Sequence, residues 1–485
     1  MPSTNFYAHI ARTLQAQARQ VLLAWPSASP AQSGTGGFEP GELHTGGEIE
    51  AFVTAMRQRL TAAQVLPGQR VLLLVPVSLE LVGALLGVLA HGATVVLPPA
   101  GASTRQLLAL ARQGGVAILP RVAAGPRLLA RLLGVKLLAA SRPTSPATPA
   151  ELPQPVPPQQ PALITHTSGS TGRPKQIIRT HAVLSTQHAV LKEIFPPWPG
   201  QRDFPLFPNV LLHNLGAGAV SILPNVHWAD ISTVRPPLIV EQLLVEQVET
   251  LTGNVFYFEQ LLPALRQQPG GFPLVRALGV GGSPVPERLV HALKAVFASA
   301  TVYVIYGSSE AEPIAVRPLA GQAASPALGY CVGPVHPSLE LRLASLGALS
   351  LPDGSRPVVG EIQVRGPHVA SREPDGWLHT GDFGYLGADG QLYLTGRQGN
   401  EALRQGLQHY QLEHVLQHLP GVERVAARPV SAGFNIYVQG PASEAAVRAA
   451  LAAYFPAAAC QAVHFRSSLP VDQRHHSKIR YAEVL

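Results

Sequence analysis

The pattern that most restricts this chain lies between residues 70 and 119, where short apolar runs alternate with helical ones. Residues 70–76 (RVLLLVP) follow a Pro67-Gly68 turn and are almost continuously apolar, as expected of a strand buried on both faces. Residues 79–90 read as a helix, 93–97 as a strand, 106–113 as a helix and 116–119 as a strand. Such alternation predicts parallel sheets covered by helices. It resumes with a helix at 238–247, strands at 253–257 and 275–280, a helix at 287–298 and a strand at 301–305. After about residue 336 the strands shorten around tight turns at Asp353-Gly354, Asp375-Gly376 and Asp389-Gly390, predicting a small antiparallel or barrel-like region. The last part reads as a compact α+β unit, with helices at 412–418 and 443–454 and strands at 422–429, 434–439 and 462–465. Residues 143–161 carry eight prolines and predict a linker or surface excursion. The expected fold class is α/β: layered α/β subdomains with a small β-barrel-like region, then a small α+β domain.

Composition narrows the function classes. A chain of 485 residues outgrows a single hydrophobic core, which stops growing near ~250–300 residues. At 46% apolar it is no disordered protein. The net charge of +7 is spread over a chain only 13% charged, without the basic blocks of a nucleic-acid binder. Two cysteines, Cys331 and Cys460, build neither a disulfide framework nor a zinc site alone, which fits a reducing cytosol. The most apolar stretch, residues 71–91, is interrupted by Pro76, Ser78 and Glu80, so no membrane span is expected. The first twenty residues lack the apolar centre of a secretory signal. A large, soluble, cytoplasmic protein is expected.

The densest chemistry sits in residues 167–175, TSGSTGRPK. Gly169 and Gly172 permit backbone shapes that bring amide N–H groups close to a ligand, while Thr167, Ser168, Ser170, Thr171 and Lys175 add donors and a cation. Such a loop suits a polyphosphate; it also suits a plain polar surface turn. It is not a Walker A loop, because Arg173-Pro174 separate Gly172 from Lys175. Lysine is scarce, five residues against 31 arginines, as a GC-rich genome would produce at the surface, while sites that need a compact point charge resist the exchange. Lys175 and Lys478 are two of the five. His475 and His476 are adjacent, so their side chains diverge, and no third ligand lies nearby; with Arg474 they suit a phosphate-facing loop better than a metal.

The loop resembles the phosphate-binding signature of the ANL superfamily of adenylate-forming enzymes, and further signatures follow in order. Residues 281–286 (GGSPVP) resemble the adenine-side turn, and 306–310 (YGSSE) resemble Tyr-Gly-x-Thr-Glu with Ser309 for threonine. Residues 379–382 (HTGD) match a later signature, Gly396-Arg397 the hinge, and Lys478 the mobile lysine near the terminus. The resemblance implies an N-terminal adenylation domain, residues 1–396, and a mobile C-terminal lid, residues 397–485. It further implies ATP and Mg²⁺ as cofactors, with Glu310 holding the metal and Glu310, Lys175 and Lys478 as catalytic residues. Nucleotide contacts would come from Thr167, Ser168, Gly169, Ser170, Thr171 and Gly172 in the loop. They would come also from Gly281, Gly282, Ser283, Tyr306, Gly307, Ser308, Ser309, Asp382 and Arg397. Tyr306 would stack on adenine, Asp382 would take both ribose hydroxyls and Arg397 would contact ribose or phosphate.

These residue types answer a definite electrostatic problem. A carboxylate attacking the α-phosphate of ATP brings two anions together, and unit charges ~4 Å apart repel by roughly 4 kcal/mol at an effective dielectric near 20. A metal ion and a placed cation must offset that repulsion. Residues 204–216 (FPLFPNVLLHNLG) are apolar and suit an apolar acid, fatty or β-hydroxy, rather than an amino acid. His213 and Gly216 fit a family His-x-x-Gly for acid binding, whereas alignment from Pro205 puts Pro208 at that place. The expected reaction is acid plus ATP to acyl-adenylate plus pyrophosphate, followed by transfer to coenzyme A or an acyl carrier protein. Gln398 and residues 399–411 depart from the family pattern in the segment that serves this second step. Residues 281–286, Ala311-Glu312-Pro313 after Glu310, and Arg-His-His-Ser-Lys-Ile near the end resemble the β-lactone synthetases of bacterial olefin biosynthesis, which close a β-hydroxyacyl adenylate without a thiol. An inactive nucleotide-binding homologue and a P-loop NTPase stand as further alternatives.

Overall fold

The structure is a computed structural model, and it describes residues 4–26, 38–99, 101–121, 133–143, 152–168, 174–228, 230–319, 324–371, 373–472 and 476–484. The chain divides into two compact units, one of Met1–Ala28, Glu39–Pro224 and Pro367–Ala370, the other of Ser29–Phe38, Asn225–Gly366 and Ser371–Leu485.

The first unit opens with α1 (Tyr7–Ala16), β1 (Val21–Ala24) and β2 (Leu43–Thr45). Then come α2 (Gly46–Ala62), β3 (Arg70–Leu73), α3 (Leu79–Ala90), β4 (Thr94–Val96), α4 (Thr104–Gly114), β5 (Val116–Leu119) and β6 (Lys136–Ala139). It ends with β7 (Pro161–Ser168), β8 (Pro174–Thr180), α5 (His181–Ile194), β9 (Arg202–Pro205), α6 (Pro208–Ala217) and β10 (Val220–Ile222). Strands β6, β5, β3, β4 and β7 run parallel in that order, and β8 closes the sheet antiparallel. Helix starts are written locally: Thr45 with Glu48 and Ser103 with Gln106 form capping boxes, and Ser78 caps α3. Strand β3 buries Val71, Leu72 and Leu73, so the strand–helix alternation of the sequence is the alternation of the structure. The proline-rich stretch forms no element within 152–160, yet it is more than a surface excursion. Val156 is buried, and the Gln154 N–H donates to the Ala90 carbonyl. Proline removes ladder donors but leaves side chains free to dock.

The second unit holds α7 (Pro236–Val245), β11 (Thr250–Asn254), α8 (Val255–Arg266), β12 (Ala277–Gly281), α9 (Glu287–Val296), β13 (Thr301–Tyr306) and β14 (Ala315–Pro318). Strands β11, β12 and β13 are parallel, with β14 antiparallel beside β13. The strand expected at 253–257 stops at Asn254, whose side chain accepts the Tyr257 N–H and turns the chain into a helix. An antiparallel sheet follows in the order β15 (Tyr330–Gly333), β19 (Leu392–Arg397), β18 (Leu378–Leu386), β17 (Val358–Arg365), β16 (Glu340–Ala348). Gly354, Gly376 and Gly390 all adopt positive φ at the Asp-Gly turns. The C-terminal layer comprises α10 (His409–Gln417), β20 (Arg424–Pro429), β21 (Phe434–Gln439), α11 (Glu444–Ala452) and β22 (Cys460–Arg466) around a core that includes Leu412, Leu416, Ile436 and Val447.

Close packing makes one position in the first unit testable. A Cβ on Gly114, the last residue of α4, would lie 2.1 Å from the carbonyl oxygen of Arg70 on β3, a backbone atom with no rotamer to yield. Gly114→Ala is expected to destabilise the fold by about 1–3 kcal/mol, visible as a lowered thermal midpoint. An unchanged midpoint would mean that α4 and β3 separate freely.

Candidate active site

The site in the second unit grows from two strand ends. A Cβ at Gly281 would sit 2.6 Å from the Ile305 carbonyl oxygen, so only glycine lets β12 end this close to β13, and Gly282 continues at φ +81. Beyond β13, Gly307 passes so near the Ala311 carbonyl oxygen that a Cβ would meet it at 2.8 Å. The loop then closes on itself. The Ser308 N–H donates to the Ala311 carbonyl at 2.8 Å, and the Ser308 hydroxyl accepts the N–H groups of Glu310 and Ala311 at 3.3 Å each. Glu310 therefore sits on a turn whose own serine holds it. The Ser283 hydroxyl is buried with no hydrogen-bond partner among the described residues.

Strand β18 brings Asp382 to this edge. The buried Tyr306 hydroxyl donates to Asp382 Oδ2 at 3.0 Å, and the Arg397 guanidinium pairs with Oδ1 from β19, directly opposite in the ladder. Burial and the neighbouring carboxylate hold the Tyr306 phenol proton far more tightly than usual. The Asp382 charge likewise strengthens the hold of Arg397 on its proton. Asp382 is 16% exposed and Arg397 42%, so the pair is shielded at the acid and open at the base. The turn before Asp382 is fixed by Gly381 at φ +68 and by Thr380, whose hydroxyl donates to the Ile362 carbonyl at 2.7 Å and accepts the Asp382 N–H at 3.1 Å. Glu361 takes the Gly381 N–H at 3.2 Å and the His379 ring at 2.9 Å. Sequence reasoning missed Glu361; its signal was an acid in the middle of the apolar strand 358–365. It also missed His409, whose Nε2 accepts the Arg397 N–H at 3.0 Å.

Other expected residues lie elsewhere. Lys175 stands on β8, exposed, opposite Thr167 in the β7–β8 ladder; Thr167 and Ser168 belong to β7, and Gly169, Ser170, Thr171 and Gly172 fall outside the described residues. Lys478 is exposed in the second unit, where its N–H donates to Asp472 Oδ1 at 3.0 Å and its carbonyl accepts the Asp472 N–H at 2.9 Å. Arg474 and His475 fall outside the described residues, and the His476 ring lies 5.1 Å from the Phe256 ring. The structure thus joins Tyr306, Asp382 and Arg397 by hydrogen bonds and sets Lys478 on a turn of its own. Cys331 and Cys460 are buried free thiols.

In the first unit His213 stands on α6, its Nδ1 3.0 Å from Nδ1 of His188 on α5, and Gly216 leaves the room that the His188 ring occupies. Burial first, then Lys192, pushes His213 down to about 4. Burial, then His213, His9, Lys192 and Arg12, pushes His188 down to about 3. Both rings are neutral in the fold near neutrality, while the unfolded chain takes up protons below about 6.5. Their contribution is complete above that pH and is lost as pH falls toward 4. The thermal midpoint should drop across this window, and less steeply in His188→Gln; parallel slopes would acquit the pair.

Residues 25–372 match the family of AMP-binding enzymes. The chain is 30% identical over 364 residues to the olefin β-lactone synthetase of Stenotrophomonas maltophilia (strain K279a), the match covering 66% of this chain and 65% of that protein. Its fold resembles apo MatB from Rhodopseudomonas palustris, with a TM-score of 0.76 at 19% identity over 99% of this chain and 98% of the other. It also resembles Bacillus subtilis O-succinylbenzoate coenzyme A synthetase (MenE) in complex with ATP and magnesium, with a TM-score of 0.74 at 18% identity over 98% of each. The α/β architecture of large and small domains is that of these structures, and the chain belongs to the AMP-binding, adenylate-forming enzyme family that its sequence motifs resemble.

Proposed function

We propose that the protein activates an apolar carboxylic acid with ATP. One carboxylate oxygen attacks the α-phosphorus, the bond to the bridging oxygen breaks, and pyrophosphate leaves with the electron pair, yielding an acyl-adenylate. The observation that carries this reading is the Tyr306–Asp382–Arg397 cluster beside a self-closed loop bearing Glu310. A shielded carboxylate with two fixed partners suits a ribose diol, and a guanidinium open to solvent suits a phosphate. Tyr306 would support the adenine, Lys175 and residues 167–172 would take the polyphosphate, and Gly281, Gly282 and Ser283 would line the base. Residues 397–485 would act as the lid carrying Lys478, whose point charge would meet the oxygens between the reacting carbon and phosphorus.

Among the described residues no three His, Cys, Asp or Glu groups gather as a metal cage. Glu310, a single carboxylate on a turn held by Ser308, suits Mg²⁺, which keeps several waters and takes one or two carboxylates plus substrate phosphates, so Glu310 would hold it. The ion would supply charge neutralisation at the phosphates. The B. subtilis relative with ATP and magnesium supports both ligands for this chain.

The acyl group would then pass to the thiol of coenzyme A or a carrier protein. A second reading, closure of a β-hydroxyacyl adenylate to a β-lactone, is favoured by the 30%-identical olefin β-lactone synthetase and by the altered segment 399–411. No helix among the described residues is long and apolar enough to cross a membrane.

Incubation with ATP, Mg²⁺ and a panel of fatty, β-hydroxy and aromatic acids, with and without coenzyme A, tests these readings by product mass. Thioester mass supports thiol transfer; loss of water from a β-hydroxy acid without coenzyme A supports lactone closure. Nucleotide binding with no pyrophosphate exchange on any acid would overturn catalysis, and steady phosphate release without acid would indicate an NTPase. Lys478→Ala is expected to slow exchange by roughly 10²–10³, the scale of losing one transition-state donor. Unaltered exchange in that variant would remove the lysine from the mechanism.

A further inference from the structure

The second unit contains a buried carboxylate that the proposed chemistry leaves unused. Glu413, on α10, is 3% exposed. The Tyr481 hydroxyl lies 2.8 and 3.0 Å from its two oxygens, the Ala427 N–H donates at 2.9 Å, and the His409 Nδ1 stands at 3.1 Å. Because His409 Nε2 accepts the Arg397 N–H, its ring proton is placed on Nδ1 and donated to Glu413. A carboxylate this deep is costly unless its lone pairs are filled, and an apolar side chain would hold the same helix at lower cost. What the carboxylate adds is connection: it ties the end of β19, α10, β20 and the terminal tail to one point.

The tail is stiff around that point. The Arg428 guanidinium donates to the carbonyls of Tyr481 and Val484 at 2.8 Å each, and the Arg480 N–H donates to the Pro470 carbonyl at 3.0 Å. Val471 bridges Ile479, and Asp472 clasps the main chain of Lys478 on both sides. Ile479 and Tyr481 pack against Ala426, Tyr437, Leu469 and Val484. Lys478 is therefore three residues from an anchored tyrosine, within a tail that has little freedom to slide.

We propose that His409, Glu413 and Tyr481 form a positioning network that couples the main chain of Arg397 to the tail presenting Lys478, so that the hydroxyl–carboxylate contact at Tyr481 fixes where that tail holds the lysine. The proposal rests on the adenylation reading above. These three side chains act through Arg397 and Lys478 and touch no substrate.

Tyr481→Phe tests it, since the ring stays packed against His409, 4.7 Å away between centroids, while the hydroxyl is lost. Acid-dependent pyrophosphate exchange should show kcat lowered about tenfold with KM for ATP within about twofold. In a Lys478→Ala background the same change should cost nothing further, because residues acting as a unit are non-additive. Amide hydrogen exchange should speed up in residues 476–484 and stay unchanged in 444–452. Multiplying losses in the double variant, or an unchanged kcat, would overturn the coupling to Lys478. If the wild-type protein exchanges no pyrophosphate with any acid, the adenylation reading falls; hydrogen exchange then decides the network, and an unaltered tail in Tyr481→Phe would overturn it.

Discussion

Much of this protein turns on one carboxylate held from two sides. Asp382 takes the Tyr306 hydroxyl on one oxygen and the Arg397 guanidinium on the other, and the three residues come from β18, β13 and β19. Charge-assisted bonds of this kind are directional, so they set the position of a strand end more sharply than apolar contact does. The turn at Gly381, the Thr380 hydroxyl and the Glu361 carboxylate serve the same end: each fixes the backbone that delivers Asp382.

A second buried carboxylate lies on the other side of Arg397. The side chain of Arg397 answers to Asp382, while its main-chain N–H answers through His409 to Glu413. One residue thus meets the Tyr306–Asp382 cluster with its guanidinium and, through His409, the C-terminal tail with its backbone. Gly396 precedes it for a packing reason, since the Gln408 amide lies 3.0 Å from where its Cβ would be. The departures from the family pattern at 399–411 are not loose sequence. Gln408 bonds Thr395 and Glu401, Arg404 bonds the Val430 carbonyl, and Gln411 bonds the Ala327 carbonyl.

The alternating elements between residues 70 and 119 and the C-terminal α+β pattern were legible because each strand or helix carries its own apolar pattern. The Asp-Gly turns were legible because positive φ selects glycine locally. The break at Asn254 was misplaced because an apolar run such as VFYF suits either a strand or a helix, and only the capping contact decides. Of the candidate site, Tyr306, Asp382 and Arg397 stand in motifs that the sequence had already singled out by resemblance, and the structure joins them by hydrogen bonds. Glu361, His409, Glu413 and Tyr481 could not, because their meaning lies in partners far along the chain.

By itself the sequence determined the fold class, the turns and the motifs that resemble those of adenylate-forming enzymes. Those are local properties, set by side-chain period, glycine geometry and short runs of donors. Tertiary structure alone decided which carboxylate meets which donor: that Asp382 is shared by Tyr306 and Arg397, that His213 faces His188, and that Tyr481 is tied to Glu413. Hydrogen bonds act over about 3 Å, whereas these partners are separated by up to 76 residues along the chain, and only the packed fold brings them within that range.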